Sequence, residues 1–280
     1  MAELDINEIA GHVTDAPYFH IPGFLTKDGY GHIDLPSILG LQITKYMLLE
    51  VVVGLVLCAI FIPMAWKIRG GKPLKGRFWN LMEVFLLYLR NNVIRPSIGK
   101  HDADRFTPYL WTLFFFVLGC NLAGMLPWSG TPTGSLSVTA VLALATFGIV
   151  NVAGMQRYGV GKYWIGLVPH MDLPFVLAVI LKPMLFVIEL AGLLIKHVVL
   201  AIRLLANMFA GHMVLAVFLA FIPMVLAAPD STIWIWLPVT IGSVTMAVCL
   251  SLLELFVSFL QAYIFMFLTA LFIGAAVHQH

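Results

Sequence analysis

Long apolar runs separated by short polar segments set the pattern of this sequence. The runs cover residues 43–66, 107–126, 136–155, 174–221 and 233–277. About 20 apolar residues are enough to cross the hydrocarbon core of a membrane as a helix, which satisfies all of its own backbone hydrogen bonds. The pattern therefore predicts an all-α polytopic membrane protein with several transmembrane helices.

Residues 78–94 show a different pattern, in which apolar side chains recur at helical spacing among polar ones. Because Glu83 and Arg90 disfavour a membrane span, the segment predicts an amphipathic helix at the membrane interface. The polar, acidic start of the chain contains three prolines, which argue against a long helix there. We predict a separate N-terminal segment at 1–42 and a single membrane domain at 43–280.

The composition excludes most soluble classes of protein. Hydrophobic residues make up 61% and charged residues 11%, whereas a soluble domain carries about 25% charged residues. We therefore exclude soluble enzymes, nucleic-acid binders and secreted disulfide scaffolds. The cysteines and the N-terminal histidines match no metal-ligand spacing, and we find no nucleotide motif. We predict no cofactor, no metal site and no ATP binding by this chain.

The distribution of lysine and arginine predicts how the chain is oriented in the membrane. Of the 16 lysines and arginines, nine fall within 67–105, and Arg157 and Lys162 follow the third apolar run. Short loops rich in these residues remain on the cytoplasmic side. The N-terminal segment is therefore predicted to be periplasmic and the C-terminus cytoplasmic.

The last two apolar runs are much longer than a membrane requires. As one helix, the 48 residues of 174–221 would extend about 72 Å, more than twice the hydrocarbon thickness of about 30 Å. Each run could instead contain two spans, but no cluster of turn residues divides 184–221. The sequence favours two long, tilted, antiparallel helices that pack against a protein partner.

Four charged residues recur every seven positions in the fourth run: Lys182, Glu189, Lys196 and Arg203. Seven residues complete nearly two helical turns, so all four side chains project from one face. A charge at the membrane centre costs about 2.5–3.5 kcal/mol on insertion scales, which makes a lipid-facing stripe untenable. The stripe must face water, a partner or opposing charge, although Lys182 lies close enough to the inner end to snorkel.

Polar residues of the last two runs pair off if the runs form antiparallel helices. The residue numbers of two facing residues then add up to a nearly constant value, and half of that value gives the position of the turn. For these runs the turn falls in the polar loop between them. By this rule His212 and Glu254 should form one polar layer. Arg203, Asn207 and Gln261 should form a second, because Asn207 follows Arg203 by one helical turn.

This set of groups suits a proton route that contains a fixed positive charge. Buried, paired glutamate and histidine can relay protons, whereas arginine does not deprotonate and blocks onward transfer. Two half-paths separated by an arginine gate fit better than one continuous pore. Structural alternatives stay open, since His212, Asn207 and Gln261 could be interhelical hydrogen-bonding residues. Likewise, Lys196 could simply neutralise Glu189.

Two segments carry a specific resemblance to a known family. The sequence LAIRLLANMFAGH at 200–212 and the sequence LQAYIFMFL at 260–268 resemble signature segments of subunit a of F-type ATP synthases. The upstream positions of Glu189 and Lys196 also match, which adds both to the candidate proton-translocating residues. The resemblance extends over residues 43–280.

The resemblance implies a non-catalytic stator subunit of a rotary ATP synthase in a bacterial inner membrane. Its partners would be the c-ring of proteolipid subunits, b-type peripheral stalk subunits, the catalytic head indirectly and membrane lipid, with no nucleic acid. Arg203 would face the carboxylate of the ring and keep two proton half-channels apart. Glu189 would line the inner half-channel, and the outer one would be lined by His212, Glu254, Asn207 and Gln261. In some family members the acid and the histidine occupy opposite positions of their pair.

The alternative function is a proton- or sodium-coupled secondary transporter or channel, and a third is a structural membrane anchor. We find neither repeat symmetry nor a pair of broken helices of the transporter kind. An anchor leaves the intramembrane charges unexplained. The stator hypothesis predicts that cysteines placed at Leu200, Asn207 and Ala210 cross-link to a small two-helix proteolipid.

Overall fold

The fold is taken from a computed structural model of the whole chain. It describes residues 18–21, 31–34, 37–38, 41–69, 76–126, 130–168, 175–228 and 232–278, with side chains from residue 42 onward except over 175–180. Most of the predicted N-terminal segment, and the centre of the predicted turn between the last two runs, lie outside the described residues.

Helices make up almost all of the described chain. They are α1 (Lys45–Arg69), α2 (Arg77–Tyr88), α3 (Arg95–Ile98), α4 (Ala103–Gly124), α5 (Leu136–Tyr158), α6 (Val160–Ile165), α7 (Phe175–Leu226) and α8 (Ile233–Val277). Two short antiparallel strand pairs precede α1: β1 (Tyr18–Ile21) with β2 (Gly31–Asp34), and β3 (Ser37–Ile38) with β4 (Leu41–Gln42). Five helices, α1, α4, α5, α7 and α8, are long and apolar enough to span a membrane. The predicted all-α polytopic class is confirmed.

The predicted interfacial segment is one continuous helical stretch that continues to Ile98. A six-residue π-helix, Leu89–Ile94, joins α2 to α3. One face is buried, whereas apolar residues such as Leu81 and Val84 are exposed. An ion pair of 2.8 Å between Arg90 Nη2 and Asp104 Oδ2 ties this stretch to the first turn of α4.

The two longest helices are uninterrupted. Helix α7 has 52 residues and α8 has 45, which correspond to about 78 Å and about 68 Å of helix. Helix α7 continues five residues beyond the predicted end at 221. Neither run is divided into two spans, which for α7 agrees with the lack of a cluster of turn residues within 184–221.

The chain forms two compact units, of which the first comprises Met1–Ile60, Phe116–Val138 and Leu204–Gln261. Its described interior is built from apolar side chains of α1, α4 and α7. It contains His212 and Glu254, the predicted pair that is called the outer layer below.

The second compact unit comprises Phe61–Phe115, Thr139–Arg203 and Ala262–His280. Aromatic rings fill part of its interior, and the ring centroids of Phe61 and Phe115 lie 4.9 Å apart. Tyr163 is fully buried there. This unit contains Glu189, which is predicted to line the inner half-channel, and Arg203.

Candidate functional site

A buried acid and a histidine meet between α7 and α8 in the first unit. The Oε1 atom of Glu254, a residue only 9% exposed, lies 3.3 Å from His212 Nδ1, which is an ion-pair distance when the imidazole is protonated. The opposite ring nitrogen, Nε2, contacts the Thr131 hydroxyl. The structure thus brings together His212 and Glu254, as the antiparallel register predicts, and adds a threonine to them.

Glycines on the neighbouring helices make room for this cluster. A Cβ atom at Gly211 would overlap the Glu254 carboxylate, and one at Gly124 would overlap Thr131. Because glycine has no side chain, the Glu254 carboxylate can approach the backbone of α7, and Thr131 can approach the backbone of α4. The cluster is therefore positioned by close backbone approach as well as by the polar residues themselves.

A second polar pair lies further along the same two helices, five residues away on α7 and seven on α8. The Asn207 Nδ2 amide donates a 3.0 Å hydrogen bond to Gln261 Oε1. Gln261 is buried, and its Nε2 group donates to no residue that the structure describes. The structure therefore brings Asn207 and Gln261 together, while the predicted addition of Arg203 to this layer stays a prediction.

The loop between α4 and α5 supplies further polar groups that sequence reasoning missed. Thr133 Oγ1 donates to Asn121 Oδ1 at 2.6 Å, and Asn121 Nδ2 donates to the Ser258 carbonyl at 3.3 Å. Thr131 and Thr133 are both buried on this loop. A polar loop residue gives no sequence signal of which helix it will contact, so only the fold identifies these threonines.

The charged stripe on α7 is not neutralised within the described part of the chain. Lys182, Glu189 and Lys196 are exposed, and Arg203 is partly exposed. None of the four forms a hydrogen bond or an ion pair with any residue described in the structure. Among the described residues, Lys196 and Glu189 therefore do not form the ion pair by which one would neutralise the other.

Apolar residues accompany the stripe along the same exposed surface. Three of them directly precede a charged residue, and the fourth follows seven residues later: Ile188, Ile195 and Ile202, and then Phe209. Ile202, beside the arginine, is 51% exposed. The combined surface is too charged to face lipid alone and too apolar to face only water.

A cavity of about 340 Å³ lies beside Glu189 in the second unit. Its polar lining includes Lys196, His197 and His278 as well as the phenol of Tyr163. Tyr163 donates a 3.2 Å hydrogen bond to Asn151 Oδ1, and burial raises the pKa of its phenol, so the hydroxyl stays protonated near neutral pH. Sequence reasoning did not single out His197.

Metal binding finds no support among the side chains that the structure describes. No three His, Cys, Asp or Glu residues of that part of the chain are grouped as a metal site requires. The side chains of the N-terminal histidines lie outside the described residues.

Comparison with known proteins places the chain in one family. The sequence profile described as ATP synthase A chain matches residues 47–274. ATP synthase subunit a of Anaeromyxobacter dehalogenans (strain 2CP-C) is 40% identical over 257 residues, which cover 90% of this chain and 60% of the relative. ATP synthase subunit a of Myxococcus xanthus is 37% identical, with 96% of this chain and 88% of the relative covered.

A relative from a third bacterium supplies a similar match. ATP synthase subunit a of Chlorobium phaeobacteroides is 35% identical, with 97% of this chain and 79% of the relative covered. The chain spans about half to three fifths of the length of two Anaeromyxobacter relatives, 50% and 60%. The matched region nevertheless includes both signature segments and all five long apolar helices except the first two residues of α1 and the last three of α8. The chain therefore belongs to the ATP synthase A chain family.

Proposed function

We propose that this chain is the proton-translocating stator subunit of an F-type ATP synthase. It is non-catalytic and lies beside a ring of c-type proteolipid subunits in a bacterial inner membrane. In this proposal Arg203 separates two offset half-channels that lead to and from a carboxylate of the ring. The similarity to relatives named ATP synthase subunit a supports the assignment.

The observation that carries the proposal is the unneutralised charged stripe of α7. Arg203 stays protonated at any physiological pH, and it has no acceptor or counter-ion among the described residues. An intramembrane cation needs opposing charge or water. A carboxylate presented by a neighbouring subunit supplies that charge, and the exposed apolar residues beside Arg203 supply the packing surface.

Two polar clusters provide the steps on either side of the arginine in the proposed route. On the outer side, His212 and Glu254 exchange protons, with the Thr131 hydroxyl on the far ring nitrogen. Asn207 and Gln261 continue the polar lining. On the inner side, the cavity beside Glu189 and Lys196 leads protons away.

The further partners and the orientation follow from the same proposal. The b-type peripheral stalk would hold the subunit against rotation and connect it to the catalytic head. The charge distribution supports a periplasmic N-terminus and a cytoplasmic C-terminus.

The energy of a single proton also favours a rotary mechanism. One charge crossing 100 mV yields about 2.3 kcal/mol, so several protons must be combined per ATP, and a rotating ring does this.

Cysteine cross-linking tests the partner. Asn207 and Ala210 are exposed on α7, whereas Leu200 is 1% exposed and faces the protein interior. We therefore expect Asn207→Cys and Ala210→Cys to give disulfide products with cysteines placed in a c-type proteolipid. Leu200→Cys should give none, which differs from the expectation based on the sequence alone. The products would be measured by immunoblotting of oxidised membranes.

The same experiment separates the proposal from its alternatives. A secondary transporter or a channel that uses this stripe would give no proteolipid product at any of the three positions. Products at Leu200 alone would mean that the ring contacts another face of α7. Either result, in membranes with normal amounts of the subunit, would contradict the proposed ring surface.

Gly211→Ala tests the outer proton pair without changing any titratable residue. The added methyl group would displace the flexible Glu254 carboxylate from His212. A misplacement of about 1 Å can cost a hundredfold in rate, and we expect ATP-driven proton pumping to fall by about tenfold with normal assembly. Fluorescence quenching in inverted vesicles measures the pumping rate.

Gly148→Ala on α5 is the matched control, because it lies away from the charged stripe of α7. A Cβ atom at Gly148 would meet no atom within 4 Å, so this variant should pump like the parent protein. Equal pumping by the Gly211→Ala variant would show that the close approach to Glu254 is not needed for proton transfer.

A further inference from the structure

His197 is a buried histidine in the wall of the inner cavity. It is 3% exposed. Its ring lies between two aromatic rings, with centroid distances of 5.3 Å to Phe147 and 5.1 Å to Phe272. These contacts fix the plane of the imidazole, so its two nitrogen atoms point in defined directions.

A backbone hydrogen bond determines which nitrogen of His197 carries the proton. Its Nδ1 atom lies 2.8 Å from the Leu193 carbonyl oxygen. A carbonyl only accepts hydrogen bonds, so Nδ1 is the protonated donor and the neutral ring keeps its lone pair on Nε2. That Nε2 atom is buried and bonds to no residue that the structure describes. A buried acceptor without a partner is costly, and packing alone does not require one.

The surroundings of His197 provide both a proton source and a path to water. The cavity of about 340 Å³ that it lines also contacts Glu189, Lys196 and His278. This volume is large enough for several water molecules. Because Glu189 and His197 line the same cavity, water in it can carry a proton from one to the other.

We propose that His197 is a second proton-carrying residue of the inner half-channel. Its Nε2 lone pair accepts a proton from the Glu189 carboxyl group through water in the cavity, which leaves a carboxylate and an imidazolium. The imidazolium then releases the same proton to water on the cytoplasmic side, and no electrons are transferred. This proposal rests on the proposed function and adds one residue to its inner path.

The charged groups that face the cavity set the balance of this transfer. The carboxylate of Glu189 favours the imidazolium, whereas the ammonium group of Lys196 opposes it. Tyr163 stays protonated. His278 uses its Nε2–H to donate a 2.8 Å hydrogen bond to the Ile98 carbonyl.

Two substitutions separate proton transfer from packing. His197→Phe keeps an aromatic ring between Phe147 and Phe272 but removes both nitrogens. His197→Gln keeps a polar side chain that does not titrate. His101→Gln is the matched control, because His101 is exposed and does not line the cavity.

Passive proton conduction through inverted vesicles gives the readout. With the catalytic heads removed and a potassium diffusion potential imposed, the medium faces the inner half-channel and its pH can be varied. Because an imidazole is one of its proposed proton carriers, the parent protein should show a step in conduction at the pH at which His197 titrates. Both His197 variants should lose the step and conduct about tenfold more slowly, since a positioned proton carrier contributes at least this much.

The outcomes distinguish this proposal from the proposed function. A step that survives in both His197 variants, at the parental rate, would overturn the role of His197 alone, because Arg203→Ala tests the stator function separately. Loss of the step in the His101→Gln control would also overturn it. If neither His197 variant assembles, His197 is a packing residue and the proposal is wrong.

Discussion

Replacing Arg203 with alanine should abolish ATP synthesis driven by an imposed proton gradient, while passive proton conduction persists or rises. The arginine is the fixed charge between the proposed half-channels, and without it protons pass from one to the other without turning a rotor. Synthesis should fall to background, and the leak should appear after the catalytic heads are stripped from the vesicles. Both rates can be measured on the same membrane preparation.

Lys182→Ala is the matched control for this experiment. Lys182 belongs to the same exposed stripe and also has no counter-ion among the described residues, but it lies near the inner end of α7, where its side chain can reach the headgroups. The control should retain most synthesis. Normal synthesis by the Arg203→Ala variant, at normal levels of assembly, would remove the rotary proposal and favour a transporter.

Sequence periodicity was sufficient to predict the pairing in the outer layer. The positions of His212 and Glu254 depend only on two continuous helices and the place of the turn between them, and both follow from hydrophobic pattern and turn chemistry. The observed 3.3 Å contact lies where this register places it. Contacts between residues more than 40 positions apart can therefore be predicted from the sequence where the helices that carry them are regular.

The loop residues and the buried histidine were beyond that reasoning. Thr131 reaches His212 because an irregular turn folds against the helices, and no periodic rule describes such a turn. No spacing or motif in the sequence marks His197 as a functional residue. Its importance follows from the cavity beside it. Both depend on tertiary packing, which a single sequence does not encode locally.

The sequence alone does not show that Leu200 is buried, for a related reason. Leu200, Leu204 and Met208 form one buried row at intervals of four on α7. Ile202 and Phe209 lie on the exposed face. In a helix that is apolar all round, hydrophobicity does not show which side meets protein, so the charged residues were the better guide.

Exchanging the two members of the outer pair should restore function that each single change removes. His212→Glu alone would bring two carboxylates together, and Glu254→His alone would leave two imidazoles without an acid. Each single variant should lose about a hundredfold in ATP-driven proton pumping, the scale expected when one proton carrier is removed. The double variant keeps one acid and one imidazole, and we expect it to pump within about tenfold of the parent.

The reason for expecting rescue is that the neighbouring groups tolerate either order. The Thr131 hydroxyl can donate to a carboxylate or to an imidazole nitrogen at position 212, and Gly211 leaves space for the side chain at 254. Glu254→Gln is the control, since it keeps the shape of the acid but does not titrate, and it should be as inactive as the single exchanges. A double variant that assembles normally yet pumps no better than either single variant would contradict a relay between these residues, and would make their contact structural.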